Sequence, residues 1–245
     1  MKNRKDFGKQ LIEMLNLTAW PVGVDFISSK DARPQQAQLL KGHRYCQALM
    51  KAREGSSVLL DSKGISCPAA AAAFGFRPLP ENLQNGRGLV GFGIVQEQNT
   101  GARMFEGMSY FPAGQIDSLH LYPLGQAERL PDVVVMEDEP EKLMWISLAY
   151  LNLKGGERVV SSTAVLQATC VDSTIIPHQE QRLNQSFGCY GCRDATDMDS
   201  TEAALGFPGK LLPDLLERLE YLKEKAIPVS RSKKAYAALQ DRFLE

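Results

Sequence analysis

The sequence predicts a mixed α+β fold built as a single compact domain over residues 1–245. Apolar periodicity switches repeatedly between the helical and the alternating pattern, so helix-like and strand-like segments interleave along the chain. The composition, 44% hydrophobic and 23% charged, is that of a globular domain. No Pro-, Gly- or Ser-rich linker divides the chain, and 245 residues suffice to bury one large core or two fused smaller ones.

The elements follow in order. Phe7, Leu11, Met14 and Leu15 fall at helical spacing over 6–16, and Pro21 ends that helix. Val22-Gly23-Val24-Asp25-Phe26-Ile27 alternates as a strand. Residues 31–54 read as helix in two pieces, with His43-Arg44-Tyr45-Cys46 at the start of the second. Ser56 to Asp61 is a short buried strand, and Cys67-Pro68 opens a helix through Ala73 that Gly75 closes. Strand signals then recur at Leu89–Val95, Met104–Phe111 and Ser118–Tyr122. The run Val133-Val134-Val135-Met136 marks a strand over 131–137, and an amphipathic helix over 140–153 ends at Gly155-Gly156. Arg158–Ser161 reads as another strand, with a short segment leading to Cys170. Residues 177–209 are turn-rich and read as irregular. Leu212, Leu215, Leu216, Leu219 and Leu222 share one face of a helix over about 213–225, and a last helix is expected over 232–243.

The order strand, helix, strand, cysteine occurs twice, over about 18–75 and 130–175. Taken as a duplication, the two halves pair about a pseudo-twofold axis, with Cys67 and Cys170 in equivalent places near it.

Charge and hydropathy exclude some functions. A net charge of −1 and the lack of a long basic run argue against nucleic acid as a partner. No apolar run approaches the roughly 20 residues a bilayer requires. Lys9, Glu13 and Asn16 interrupt any apolar core of a signal peptide. The expected location is the cytoplasm, where disulfides are rare and thiols stay reduced.

Five cysteines then carry the chemistry: Cys46, Cys67, Cys170, Cys189 and Cys192. Soft thiolate donors select iron–sulfur, zinc or copper(I) over hard cations. In Gly188-Cys189-Tyr190-Gly191-Cys192-Arg193, two cysteines separated by two residues in a glycine-supplied turn suit shared metal or cluster ligation. A redox dithiol and a structural turn are the competing readings. Arg193 beside the pair is expected to offset thiolate charge. Cys67, before Pro68, sits at a helix N-cap, where the helix dipole and free N–H groups favour the thiolate. His43 lies three residues before Cys46, as a ligand, a proton donor or a plain surface residue. Cys170 has no local pattern of its own. A cysteine–histidine catalytic pair could draw on His43, His120 or His178, and spacing does not choose among them. Gly86-Arg87-Gly88-Leu89-Val90-Gly91 spells a glycine fingerprint for dinucleotides, but a strand rather than a helix is expected after it, which excludes a pyrophosphate site.

The chain resembles domain-of-unknown-function family 169, a prokaryotic set, over about residues 8–225. The matching elements are Pro21-Val22-Gly23-Val24, Arg44-Tyr45-Cys46, Cys67-Pro68 with Phe74-Gly75-Phe76, and Cys170. Ser186 through Arg193, Glu202 and Gly206-Phe207-Pro208 complete the set. In that family's pattern the position of Cys192 is often a small residue. The resemblance therefore implies Cys46, Cys67, Cys170 and Cys189 as the core four, with Cys192 an extra or alternative ligand.

The resulting expectation is a cytoplasmic metal-binding protein that holds a [4Fe–4S] cluster through Cys46, Cys67, Cys170 and Cys189. Its role is electron transfer or cluster-assisted reduction, with a redox partner protein or small molecule. The alternatives are a zinc-stabilised or metal-free binding protein and a thiol redox enzyme using Cys189 and Cys192.

Overall fold

A computed structural model describes residues 7–163 and 168–229, together with 232, 234 and 237. Seven strands form one mixed sheet: β1 Val22–Ile27, β2 Gln38–Leu39, β3 Val58–Asp61, β4 Ser118–Pro123, β5 Val133–Asp138, β6 Asn184–Ser186 and β7 Ala203–Pro208. Their order is β2-β3-β4-β1-β5-β7-β6, antiparallel throughout except where β2 runs parallel to β3. The α-helices among the described residues are α1 Phe7–Leu15, α2 Tyr45–Arg53, α3 Pro68–Ala73, α4 Glu81–Gln84, α5 Arg87–Gly91, α6 Gln98–Glu106, α7 Pro140–Leu153, α8 Ile176–Glu180, α9 Tyr190–Ala195 and α10 Leu212–Lys225. None of the described helices is long and apolar enough to cross a membrane.

Both faces of the sheet are covered, which makes an α+β architecture of three layers. Strand alternation sends Val22, Val24, Val133 and Val135 to one face, against Ala48 and Leu49 of α2, Ala70 and Ala71 of α3, and Val171 and Ile175. The opposite positions Val134, Met136, Leu205 and Phe207 meet Leu11 of α1, Ile146 of α7 and Leu215 and Leu219 of α10. The centre of the sheet is therefore buried on both sides, which explains the unbroken apolar run in β5.

Apart from the two-residue edge strand β2, which has no counterpart, the strand order reads the same outward from either side of a central pair. β1 and β5 lie side by side, Val22 opposite Val135 and Val24 opposite Val133. Outward from β1 come β4 and then β3; outward from β5 come β7 and then β6. Each half thus lays down its first, third and second strand in that spatial order. Each third strand also ends in a proline, Pro123 or Pro208, and enters a single 3₁₀ turn.

Several sequence expectations are corrected. Leu89–Val95 and Met104–Phe111 are not strands: α5 covers the first, and α6 with the turn after it covers the second. The buried residues Phe105, Met108 and Phe111 are spaced by three, not by two. Of residues 31–54 only α2 is helical, and β2 lies in the expected first piece. Arg158–Ser161 forms no strand, whereas β6, α9 and β7 organise the stretch read as irregular. A helix, α5, does follow Gly86, although no strand precedes it. Gly86 has φ +80°, and a side chain there would strike Gln98 O and Ala102 N, so this glycine serves close helix packing. The helix expected over 232–243 lies largely outside the described residues.

On the face of α1, α7 and α10, Asp25 and His120 stand opposite each other on β1 and β4. Asp25 accepts from Tyr122 Oη (3.1 Å) and the Asp132 N–H (3.2 Å), and pairs with Arg129 (3.1 Å). His120 Nε2 meets Ser57 Oγ at 2.9 Å. Burial pushes Asp25 up to about 6 and His120 down to about 4. His120 is thus engaged here, while the His178 ring packs on Phe26 and Phe111 and His43 Nδ1 contacts Lys41 O. The described contacts of all three histidines lie with groups other than the thiols.

Two predictions follow from this packing. A Cβ at Gly206 of β7 would lie 1.8 Å from the Ser173 carbonyl oxygen, so Gly206→Ala forces the turn at 171–175 off the sheet. We expect a loss of about 1–3 kcal/mol or more in urea unfolding; a neutral result would refute the close approach. The second concerns pH. Between 3.8 and about 6 the folded chain keeps the Asp25 proton that the unfolded chain releases, so this contribution to stability falls as pH rises. Between 6.5 and about 4 the unfolded chain binds a proton that folded His120 refuses, so its contribution falls as pH drops. The two oppose. Asp25→Asn should make the urea midpoint drop more steeply on acidification than in the wild type, and His120→Gln should make it drop less or rise. Two variants with the wild-type pH profile would contradict this assignment.

Candidate metal centre

The cysteines sit at helix starts on the α2–α3 face of the sheet. Cys46 is the second residue of α2, after Arg44 and Tyr45. Cys170 holds the same place after Ala168 and Thr169, at the opening of a helix whose first turn, Val171–Ile175, is π-helical and runs into α8. Cys67 is the N-cap of α3, which follows β3; Cys189 is the N-cap of α9, which follows β6. Because β3 and β6 hold corresponding places in the strand order, Cys46 corresponds to Cys170 and Cys67 to Cys189. The expected equivalence of Cys67 with Cys170 is corrected, since it relied on the absent strand at 158–161. Exposure follows the same pairing: Cys46 and Cys170 are buried, Cys67 and Cys189 half-buried.

The thiols also reach one another. Cys189 Sγ donates to Cys192 Sγ at 3.1 Å, and the Cys192 N–H donates to Cys189 Sγ at 3.1 Å. Cys46 feels the charge of Cys192, Cys170 and Cys189. Cys170 in turn feels Cys192 and Cys67. The Cys189 thiol, which donates to Cys192, pulls Cys192 down against its burial. The neighbouring Cys192 sulfur and burial push Cys46 and Cys189 up, and burial pushes Cys170 up.

These contacts are tighter than shared ligation allows. Thiolates at about 2.3 Å from one tetrahedral ion stay roughly 3.8 Å apart. Among the described residues, no group of three or more His, Cys, Asp or Glu side chains stands ready to hold a metal ion. The donor chemistry suits a soft metal or a cluster, but Cys189 and Cys192 must separate to ligate the same ion. Gly188, with φ +75°, and Gly191 flank Cys189 where such a movement needs backbone latitude. Thr169 Oγ1, one residue before Cys170, is buried without a hydrogen-bond partner.

Residues that the sequence reading left unassigned surround the sulfurs. Glu137 ends the inward-facing series Val133, Val135, Glu137 on β5, and burial pushes it up to about 7. Arg53 of α2 pairs with Glu137 (3.3 Å) and grips Glu202 with both Nη atoms. Tyr45 Oη meets Thr174 Oγ1 at 2.7 Å, tying α2 to the helix that carries Cys170. Arg44 Nη1 donates to Gly191 O (2.9 Å) and Gln47 Nε2 to Ala195 O (3.2 Å), so the start of α2 holds α9 at both ends. Arg193 does not offset thiolate charge as expected. Its guanidinium instead donates to the carbonyls of Phe187, Asp199 and Glu202 and folds the loop between α9 and β7. A charged residue in step with two inward valines was the signal for Glu137; nothing local marked Arg53.

Arg53→Ala strands two acids, one of them fully buried, and should cost about 3–5 kcal/mol in chemical denaturation. Arg53→Lys should recover only part, because an ammonium cannot fork onto Glu202 while holding Glu137. A loss under about 1 kcal/mol, the worth of an exposed pair, would contradict this role.

No curated protein matches the chain, and no solved structure matches it. The sequence profile of one family matches residues 10–218, most of the chain. The family is described as uncharacterised ArCR. On that match, the chain belongs to domain-of-unknown-function family 169.

Proposed function

We propose that this chain is a metal-binding protein whose Cys46, Cys67, Cys170 and Cys189 hold an iron–sulfur cluster of the [4Fe–4S] type. The observation that carries the reading is the matched placement of these four thiols, two by two, at helix starts on one face of a sheet with mirrored strand order. Four soft donors arranged in two corresponding pairs suit the four corners of such a cluster. Burial supports it further. Thiolates taken out of water are costly when unpaired, and a bound cationic metal offsets that cost. When bound, the cluster supplies one-electron chemistry, for electron transfer or a cluster-assisted reduction with a redox partner protein or small molecule. Around it the chain's residues do the positioning. Arg44 holds the Cys189 loop against α2, and Tyr45 with Thr174 sets Cys46 relative to Cys170. Five free thiols suit the reducing cytoplasm.

The test is anaerobic purification of the full chain, followed by visible absorption and assay of iron and acid-labile sulfide. We expect a coloured protein with iron and sulfide in equal amounts. Serine at position 46, 67, 170 or 189 should remove most of both, while Cys192→Ser should retain them. Stoichiometric zinc without colour would replace this reading with the zinc-stabilised one. A colourless, metal-free chain with every thiol titratable would reject both.

A further inference from the structure

We infer that Cys189 and Cys192 form a thiol–disulfide exchange site for small-molecule disulfides, and that its oxidation withdraws Cys189 from the metal-binding set. The withdrawal rests on the metal-binding reading above; the exchange chemistry does not.

Three observations on the geometry carry the inference. The two sulfurs are 3.1 Å apart and face each other across the first turn of α9, so closing a bond of about 2.05 Å needs a movement of only about 1 Å. Gly188, held at φ +75°, and Gly191 between the cysteines give the backbone latitude where that turn must tighten. The two thiols also differ in access: Cys189 is half-buried, Cys192 buried beneath it. That is the arrangement of an attacking and a resolving thiol. Cys192 is moreover the thiol without a counterpart in the other half. The residue three positions after Cys67, in the matching helix, is Ala70. A four-cornered cluster does not use this fifth sulfur, and the disulfide does.

The reaction balances without any further component. The Cys189 sulfur attacks one sulfur of a small disulfide; the Cys189–sulfur bond forms, the small S–S bond breaks, and the first small thiolate leaves. The Cys192 sulfur then attacks Cys189, the mixed disulfide breaks, and the second small thiolate leaves. The two protons of the protein thiols go to the two small thiols. Cys189 and Cys192 are oxidised by two electrons, and the small disulfide is reduced by two.

The experiment uses the full-length chain, stripped of metal with a chelator, fully reduced and then exposed to oxidised glutathione without oxygen. Peptide mapping should find an intramolecular Cys189–Cys192 disulfide, with Cys46, Cys67 and Cys170 still titratable. Cys192→Ser should stop at glutathione trapped on Cys189. Glutathione persisting on Cys189 of the wild type, or a disulfide linking Cys46 to Cys192, overturns the proposal. Should Cys192→Ser fail to fold, the wild-type map alone decides. Iron and sulfide are then offered to both forms. Uptake only after reduction by a dithiol supports the withdrawal, and equal uptake by the oxidised form overturns it. A disulfide that forms in a chain binding no iron in either state refutes the metal reading and leaves the exchange site standing.

Discussion

The antiparallel contact between β1 and β5 is the constraint on which the remaining architecture depends. Both strands are apolar on both faces at the point of contact, so neither can sit at an edge. Once they occupy the centre, each half of the chain can grow only outward from its own side. The corresponding helix starts then come to the same face. Cysteines more than a hundred residues apart in sequence are drawn together by a pairing that involves no cysteine at all.

Polar chemistry divides between the two faces, and the division has an energetic logic. On the cysteine face the sulfurs crowd beside buried Glu137, where low dielectric makes any negative charge costly. Arg53 answers it by spanning Glu137 and Glu202, and joins α2 to β5 and to the segment before β7. The acid–histidine group lies on the other face, with Asp25 held by Arg129. Each charged group has its own cation, and the sheet stands between them.

Residue patterning made some of this legible and concealed the rest for identifiable reasons. β1, β3, β4 and β5 announced themselves because their alternation or apolar runs are local. α10 did so through five leucines on one face. β6 and β7 did not. The first is three residues of Asn, Gln and Ser, and the second is interrupted by Gly206, whose missing side chain makes room for Ser173. These small and polar residues fit a strand only because a partner already lies beside them. The stretches at 89–95 and 104–111 read as strands because Val90, Phe92, Ile94, Val95, Phe105 and Phe111 are β-branched or aromatic, and packing overrode that propensity.

The cysteine positions show the same boundary at the site. Sequence alone determined that Cys67 caps a helix, that Cys46 lies at a helix start, and that Cys189 and Cys192 share a glycine-bounded turn, since each depends on neighbours within one helical turn. The tertiary structure alone decided that Cys46 corresponds to Cys170 and Cys67 to Cys189, and that Cys46 and Cys170 come near the touching pair Cys189 and Cys192. It also decided that Arg53 faces Glu137. Such relations are set by which strand lies beside which, and strand order depends on contacts between residues far apart in the chain, which no local pattern encodes.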